Sequence, residues 1–109
     1  IECPPCIQGI DQAGSWQSAD RSCREWALCE FRPTEAAFMQ KVFWFENYKL
    51  VLYSDPSYGE LYDLETDPDQ YTNLWNDPSA AETKQRLISR FISAEMEKDG
   101  VLRTRTAPA

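Results

Sequence analysis

This sequence predicts an α+β fold, a small antiparallel sheet of three or four strands packed on one long C-terminal α-helix. Two runs rich in β-branched and aromatic residues, "FMQKVFWF" (38–45) and "YKLVLY" (48–53), are separated only by Glu46-Asn47, the pattern of a β-hairpin. One long helical stretch, roughly 78–99, opens on Asp77-Pro78 and closes at Gly100. The strands all precede that helix, so sheet and helix are expected as two packed layers.

The elements follow in chain order. Residues 1–25 have loop composition with little apolar periodicity, and are expected to be a linker or the end of another domain. "WALCEF" (26–31) reads as the first strand, ended at Arg32-Pro33 because proline cannot donate to a ladder. In the hairpin, Asn47 tolerates positive φ and Glu46 does not favour it, so a bulged turn with shifted register stands beside the simple one. "ELYDL" (60–64) alternates polar and apolar as a short fourth strand.

Asp67-Pro68 and Asp77-Pro78 are two helix-start signals, with aspartate as cap and proline at the first helical position. The first is expected to open about one turn, to Asn73, and the second the long helix. On that helix Leu87, Ile88, Phe91 and Ile92 form the predicted core stripe, flanked by Glu95. The unit therefore spans 26–100, with a frayed tail at 101–109.

Composition narrows the function. At 109 residues the chain holds one core. A net charge of -7 repels phosphate backbones, so nucleic acid is not an expected partner. No apolar run reaches the ~20 residues of a membrane helix, and the first residues do not form a signal peptide, so a soluble fragment of unassigned compartment is expected. There is no histidine, which removes the commonest general base and metal ligand. A chain that starts at Ile1 is expected to be a processed or excised segment.

Candidate chemistry is sparse. Cys3 and Cys6 have zinc-ribbon spacing, but Cys23 and Cys29 are too far apart for a standard knuckle. The favoured reading makes Cys29 a small buried apolar residue and the others thiols or an incidental disulfide. Asp63, Glu65, Asp67 and Asp69 alternate like calcium-loop ligands, yet Pro68 and Leu74 stand where an EF-hand needs glycine and glutamate. These carboxylates are read instead as turn and cap chemistry. Ser15 lies in no nucleophile elbow, because Ala13 and Gln17 replace its glycines. No catalytic, cofactor or metal residue is assigned.

Tyr48-Lys49-Leu50, Leu61-Tyr62-Asp63-Leu64, Asp67-Pro68, Asn73-Leu74 and Asp77-Pro78 stand in one order. In that order the chain resembles the C-terminal subdomain of sulfatases of the alkaline-phosphatase-like superfamily, over about 26–99. Gln70 stands where the family usually has glutamate. The resemblance implies a parent enzyme that hydrolyses sulfate esters with a formylglycine nucleophile and a bound calcium ion, both in an N-terminal catalytic domain outside this chain. Formylglycine is made from cysteine, rarely serine, in C-x-[PA]-x-R; Cys3-Pro4-Pro5-Cys6-Ile7 has isoleucine at the arginine position and is read as coincidence.

The segment itself is then expected to be inactive, bracing the catalytic domain and shaping the substrate entrance. The alternative is a free-standing, cysteine-dependent interaction module. Because "VFWF" and "YKLVLY" put apolar residues on both sheet faces, Val42, Phe43, Trp44, Phe45, Val51 and Tyr53 are the predicted contact residues. They would meet the catalytic domain or, in its absence, a second copy of the chain.

Overall fold

The computed structural model describes residues 9–18, 20–32, 39–55 and 57–99. The fold is α+β. Four strands, β1 (Trp26–Phe31), β2 (Gln40–Phe45), β3 (Tyr48–Tyr53) and β4 (Gly59–Asp63), form an antiparallel meander in the order β1-β2-β3-β4. A five-residue helix, α1 (Ala13–Gln17), precedes the sheet where the sequence reads as loop. A 3₁₀ turn (Pro78–Ala80) leads into the long helix α2 (Ala81–Asp99). Pro33, Phe38, Gly100 and the tail, to which the sequence assigns boundaries, lie outside the described residues.

The hairpin is the simple one. Phe45 pairs with Tyr48, leaving two turn residues and no bulge. Positive φ falls on Glu46 (52°) rather than Asn47, the reverse of the sequence expectation. Tertiary contacts hold both residues there. Arg86 on α2 donates to both Glu46 oxygens at 3.0 and 2.9 Å, while the Asn47 carbonyl accepts the Leu64 N–H at 2.7 Å.

Strand alternation divides the sheet. Leu28, Phe43, Leu50 and Leu61 align across the four strands on one face. Phe43, Leu50 and Leu61 are almost fully buried there with Leu87 and Ala94 of α2 and with Ala80. Phe91 meets Phe43 edge to face at 5.7 Å between ring centres. The core-facing stripe thus runs Leu87–Phe91–Ala94, in which Leu87 and Ala94 are buried and Phe91 is partly buried, as is Ile88 beside it. Ile92, predicted in the stripe, is 52% exposed because it lies on the opposite side of the helix from Ala94.

Of the two aspartate–proline signals, only the second starts a helix. The Asp77 carboxylate accepts the Ser79 N–H at 2.8 Å and hydroxyl at 2.7 Å. Replacing Asp77 with alanine should lower Tm by about 5 °C, the effect of a lost N-cap in a domain of this size, with an unchanged circular-dichroism spectrum. An unchanged Tm would mean that the cap does not anchor the helix. After Asp67-Pro68 the expected turn of helix is missing: Gln70 takes φ 59°, and the Asp67 carboxylate reaches past it to the N–H groups of Tyr71 and Thr72.

Candidate functional site

The stretch with the densest signals, 59–75, closes the sheet edge. Asp63 accepts from the Glu65 N–H at 3.0 Å, and Asp67 accepts from Tyr71 and Thr72 at 3.1 and 2.8 Å. These carboxylates serve backbone amides, the task of turn residues. The chain then doubles back along β4. Leu74 N–H donates to the Leu61 carbonyl at 2.8 Å, and the Asn73 side chain accepts from Leu61 N–H (3.1 Å) while donating to the Gly59 carbonyl (3.2 Å). Asn73 also accepts the Trp75 N–H at 2.9 Å. One amide side chain thus stands in for a neighbouring strand, so β4 does not present a bare edge.

Trp75 lies on Gly59. A Cβ at residue 59 would come within 2.6 Å of three indole carbons. From its other neighbour, Lys84 places its ammonium 4.7 Å from a ring centre of Trp75 and donates to the Trp75 carbonyl at 2.5 Å. Gly59, Asn73, Trp75 and Lys84 therefore lock the 59–75 loop to the start of α2.

At the far end of α2, charges hold helix to sheet. Glu30 on β1 pairs with Lys98 (2.6 Å) and Lys41 (3.2 Å), and Glu95 pairs with Lys41 (2.8 Å) and Lys98 (3.1 Å). Each side chain of this ring is only a fifth to a quarter exposed, so screening by water is incomplete. The Lys98 hydrogen bond, then that from Lys41, brings the Glu30 carboxyl from its ordinary 4.5 down to about 2. Burial opposes ionisation of Glu95, but the bonds from Lys41 and Lys98 still hold its pKa below the ordinary value.

A depressed carboxyl pKa contributes stability above the unfolded value, and that stability is lost as pH falls through the folded value. Unfolding by urea should therefore show stability falling between pH 4.5 and about 2. Glu30→Gln should flatten that slope. An identical slope in the variant would remove Glu30 as its source.

The face away from α2 carries Ala27, Cys29 and Phe31 of β1, Gln40, Val42 and Trp44 of β2, Lys49, Val51 and Tyr53 of β3, and Glu60 and Tyr62 of β4. Of the six predicted contact residues, Val42, Trp44, Val51 and Tyr53 share this face. Phe43 and Phe45 stand on the helix side, packed in or against the core. Val51 is buried at 1% exposure. Glu60 gathers the hydroxyls of Tyr53 (2.6 Å), Tyr62 (3.0 Å) and Tyr58 (3.4 Å). The hydrogen bond to Glu60 and burial push Tyr53 up to about 12; burial first, then the Glu60 bond, also raises Tyr62. Tyr53 and Tyr62 thus stay protonated and donate to one carboxylate.

Cys29 is exposed rather than buried, because it points away from α2 on the outermost strand. Cys23 is half-buried and accepts the Ser15 hydroxyl at 3.2 Å. Cys3 and Cys6 lie outside the described residues. Among the described residues no three cysteine, aspartate or glutamate side chains converge as a metal-binding group, and no helix is long and apolar enough to cross a membrane.

No family model matches the chain, and no curated protein does either. Solved structures do. BT4656, in complex with its substrate D-glucosamine-2-N,6-O-disulfate, matches 92% of this chain at TM-score 0.74 and 19% identity. A putative sulfatase from Bacteroides thetaiotaomicron VPI-5482 matches 99% at TM-score 0.69 and 20% identity, and BT1596, a 2-O GAG sulfatase, 99% at 0.68 and 21%. The chain has the fold of a sulfatase segment. It spans only 22–25% of the length of these structures.

Within this sulfatase-like fold the motif residues have visible tasks. Asp63 and Asp67 shape the turns, Asn73 closes the edge, and Asp77 caps α2. Sequence reasoning missed the Glu30–Lys41–Glu95–Lys98 ring and the Gly59–Trp75 contact. Lysine and glutamate at i and i+3 on α2 (Glu95, Lys98) hinted at the first, but the partners on β1 and β2 lie more than fifty residues away. Glycine opening a strand hinted at the second, since such a glycine often marks a close approach.

Proposed function

We propose that this chain is the C-terminal subdomain of a sulfatase, a non-catalytic unit that braces a sulfate-ester-hydrolysing domain. The observation that carries this reading is the match of nearly the whole chain to about a quarter of each neighbouring structure, two of which are described as sulfatases. The ordered motifs from Tyr48 to Pro78 support it, since an independent signal in the sequence points to the same enzymes. The sheet face with Val42, Trp44 and Tyr53 is the surface proposed to meet the catalytic domain, because Trp and Tyr are favoured where an apolar body needs a polar tip at an interface. Calcium and formylglycine are proposed for that other domain, and a sulfated sugar or aryl sulfate as its substrate.

The experiment starts from the coding sequence adjoining Ile1. A longer reading frame with a C-x-[PA]-x-R motif should yield a protein that hydrolyses 4-nitrophenyl sulfate, and deletion of 26–99 should abolish its soluble expression or activity. The present chain alone should give no turnover, since it has no histidine to activate a nucleophile. An adjoining frame with neither the cysteine nor the serine form of that motif, or turnover by the purified chain, overturns the reading.

A further inference from the structure

A cavity of about 530 Å³ opens beside β1, lined by Gly9, Arg24, Trp26, Leu28, Glu30, Glu97 and Lys98. A smaller one of about 190 Å³ adjoins it and shares Arg24 and Trp26. The larger volume is that of a small-ligand site. Its wall combines an aromatic face with an aliphatic one. Trp26 packs toward Phe43, ring centres 6.2 Å apart, and also borders the cavity, so its indole links the core to the open space.

Charge selects what could enter. Four of the described residues that line the cavity are charged, and three of these are already paired: Lys98 with Glu30 and Glu95, and Glu97 with Arg90 at 2.9 Å. Arg24 is exposed, and its hydrogen bonds among the described residues join its backbone N–H and carbonyl to the Ser22 hydroxyl, which leaves the guanidinium without a partner there. Among the described residues that line the cavity, the one uncommitted charge is therefore a cation with a planar fork of donors, suited to an oxyanion. The chain's net charge of -7 disfavours polyanions.

We propose that this cavity binds a small ring-bearing monoanion, its ring against Trp26 and its carboxylate or similar oxyanion on Arg24. The proposal stands on this geometry and does not require the sulfatase reading. Carbohydrate and aryl rings share the required chemistry, a flat apolar face beside an oxyanion, and four probes separate the parts. Glucuronate has a pyranose ring and an anion, and benzoate an aryl ring and an anion. Glucose has the ring alone, and inorganic sulfate the anion alone.

Titration of the full chain, followed by the NMR signals of the Trp26 indole N–H and the Arg24 side chain, is the test. Glucuronate, benzoate or both should shift both signals saturably, and should bind about tenfold more tightly than glucose, which lacks the charge-assisted contact, or sulfate, which lacks the ring contact with Trp26. Arg24→Gln, at an exposed position, should keep the fold and weaken the bound ring anion about tenfold. Saturation by glucuronate alone assigns a sugar, and by benzoate alone an aryl acid. No saturable shift with either, equal binding of sulfate, or unchanged affinity in Arg24→Gln overturns the proposal.

Discussion

Phe43→Ala is expected to destabilise the domain by about 3–5 kcal/mol, the range for emptying a buried aromatic site. Phe43 is 1% exposed and touches the rings of Trp26, Phe45 and Phe91, so its removal strips contacts from β1, β2 and α2 together. Small domains have only about 5–15 kcal/mol of total stability, so the variant would sit close to unfolding at room temperature. Urea unfolding followed by tryptophan fluorescence gives the measurement. Ile92→Ala is the matched control, with an expected change within about 0.5 kcal/mol because Ile92 is half exposed. A cost at Ile92 comparable to that at Phe43 would mean that the helix buries a different face.

Gly59→Ala is expected to cost about 3 kcal/mol, at the upper end of overpacking penalties. The new methyl would stand 2.6 Å from Trp75 ring carbons, and a rigid indole cannot yield as a flexible chain end would. Trp75 would have to leave, taking with it the Lys84 contact and straining the Asn73 bonds to β4. Trp75→Leu should be costly alone, yet should relieve most of the Gly59→Ala penalty when combined with it. Such coupling between touching residues runs to about 3 kcal/mol in a double-mutant cycle. Strict additivity of the two changes would show that the glycine and the indole are not in contact, and a neutral Gly59→Ala would say the same.

Much of the site was legible because its signals are local. Asp77-Pro78 starts a helix through bonds that span two residues, and "YKLVLY" forms β3 with the limits its composition sets. Asp67-Pro68 carries the same local signal and fails, since Lys49 from β3 holds the Gln70 side chain at 2.5 Å while Gln70 adopts left-handed φ. There a contact across twenty-one residues outweighs a capping preference.

By itself the sequence determined the strands, the hairpin and the long helix, because propensity, alternation and capping act over a few residues. It also determined the ordered motifs that point to sulfatases. The tertiary structure decided which face of each element is buried. It put Ile92 and Cys29 outward, moved positive φ from Asn47 to Glu46, set Trp75 on Gly59, and joined Glu30 to Lys98 across sixty-eight residues. Each of these depends on the rotation of α2 over the sheet or on the path of the 59–75 loop. A periodicity of 3.6 or 2 defines a face only to within a residue or two, and only packing against Phe43, Leu50 and Leu61 selects one rotation.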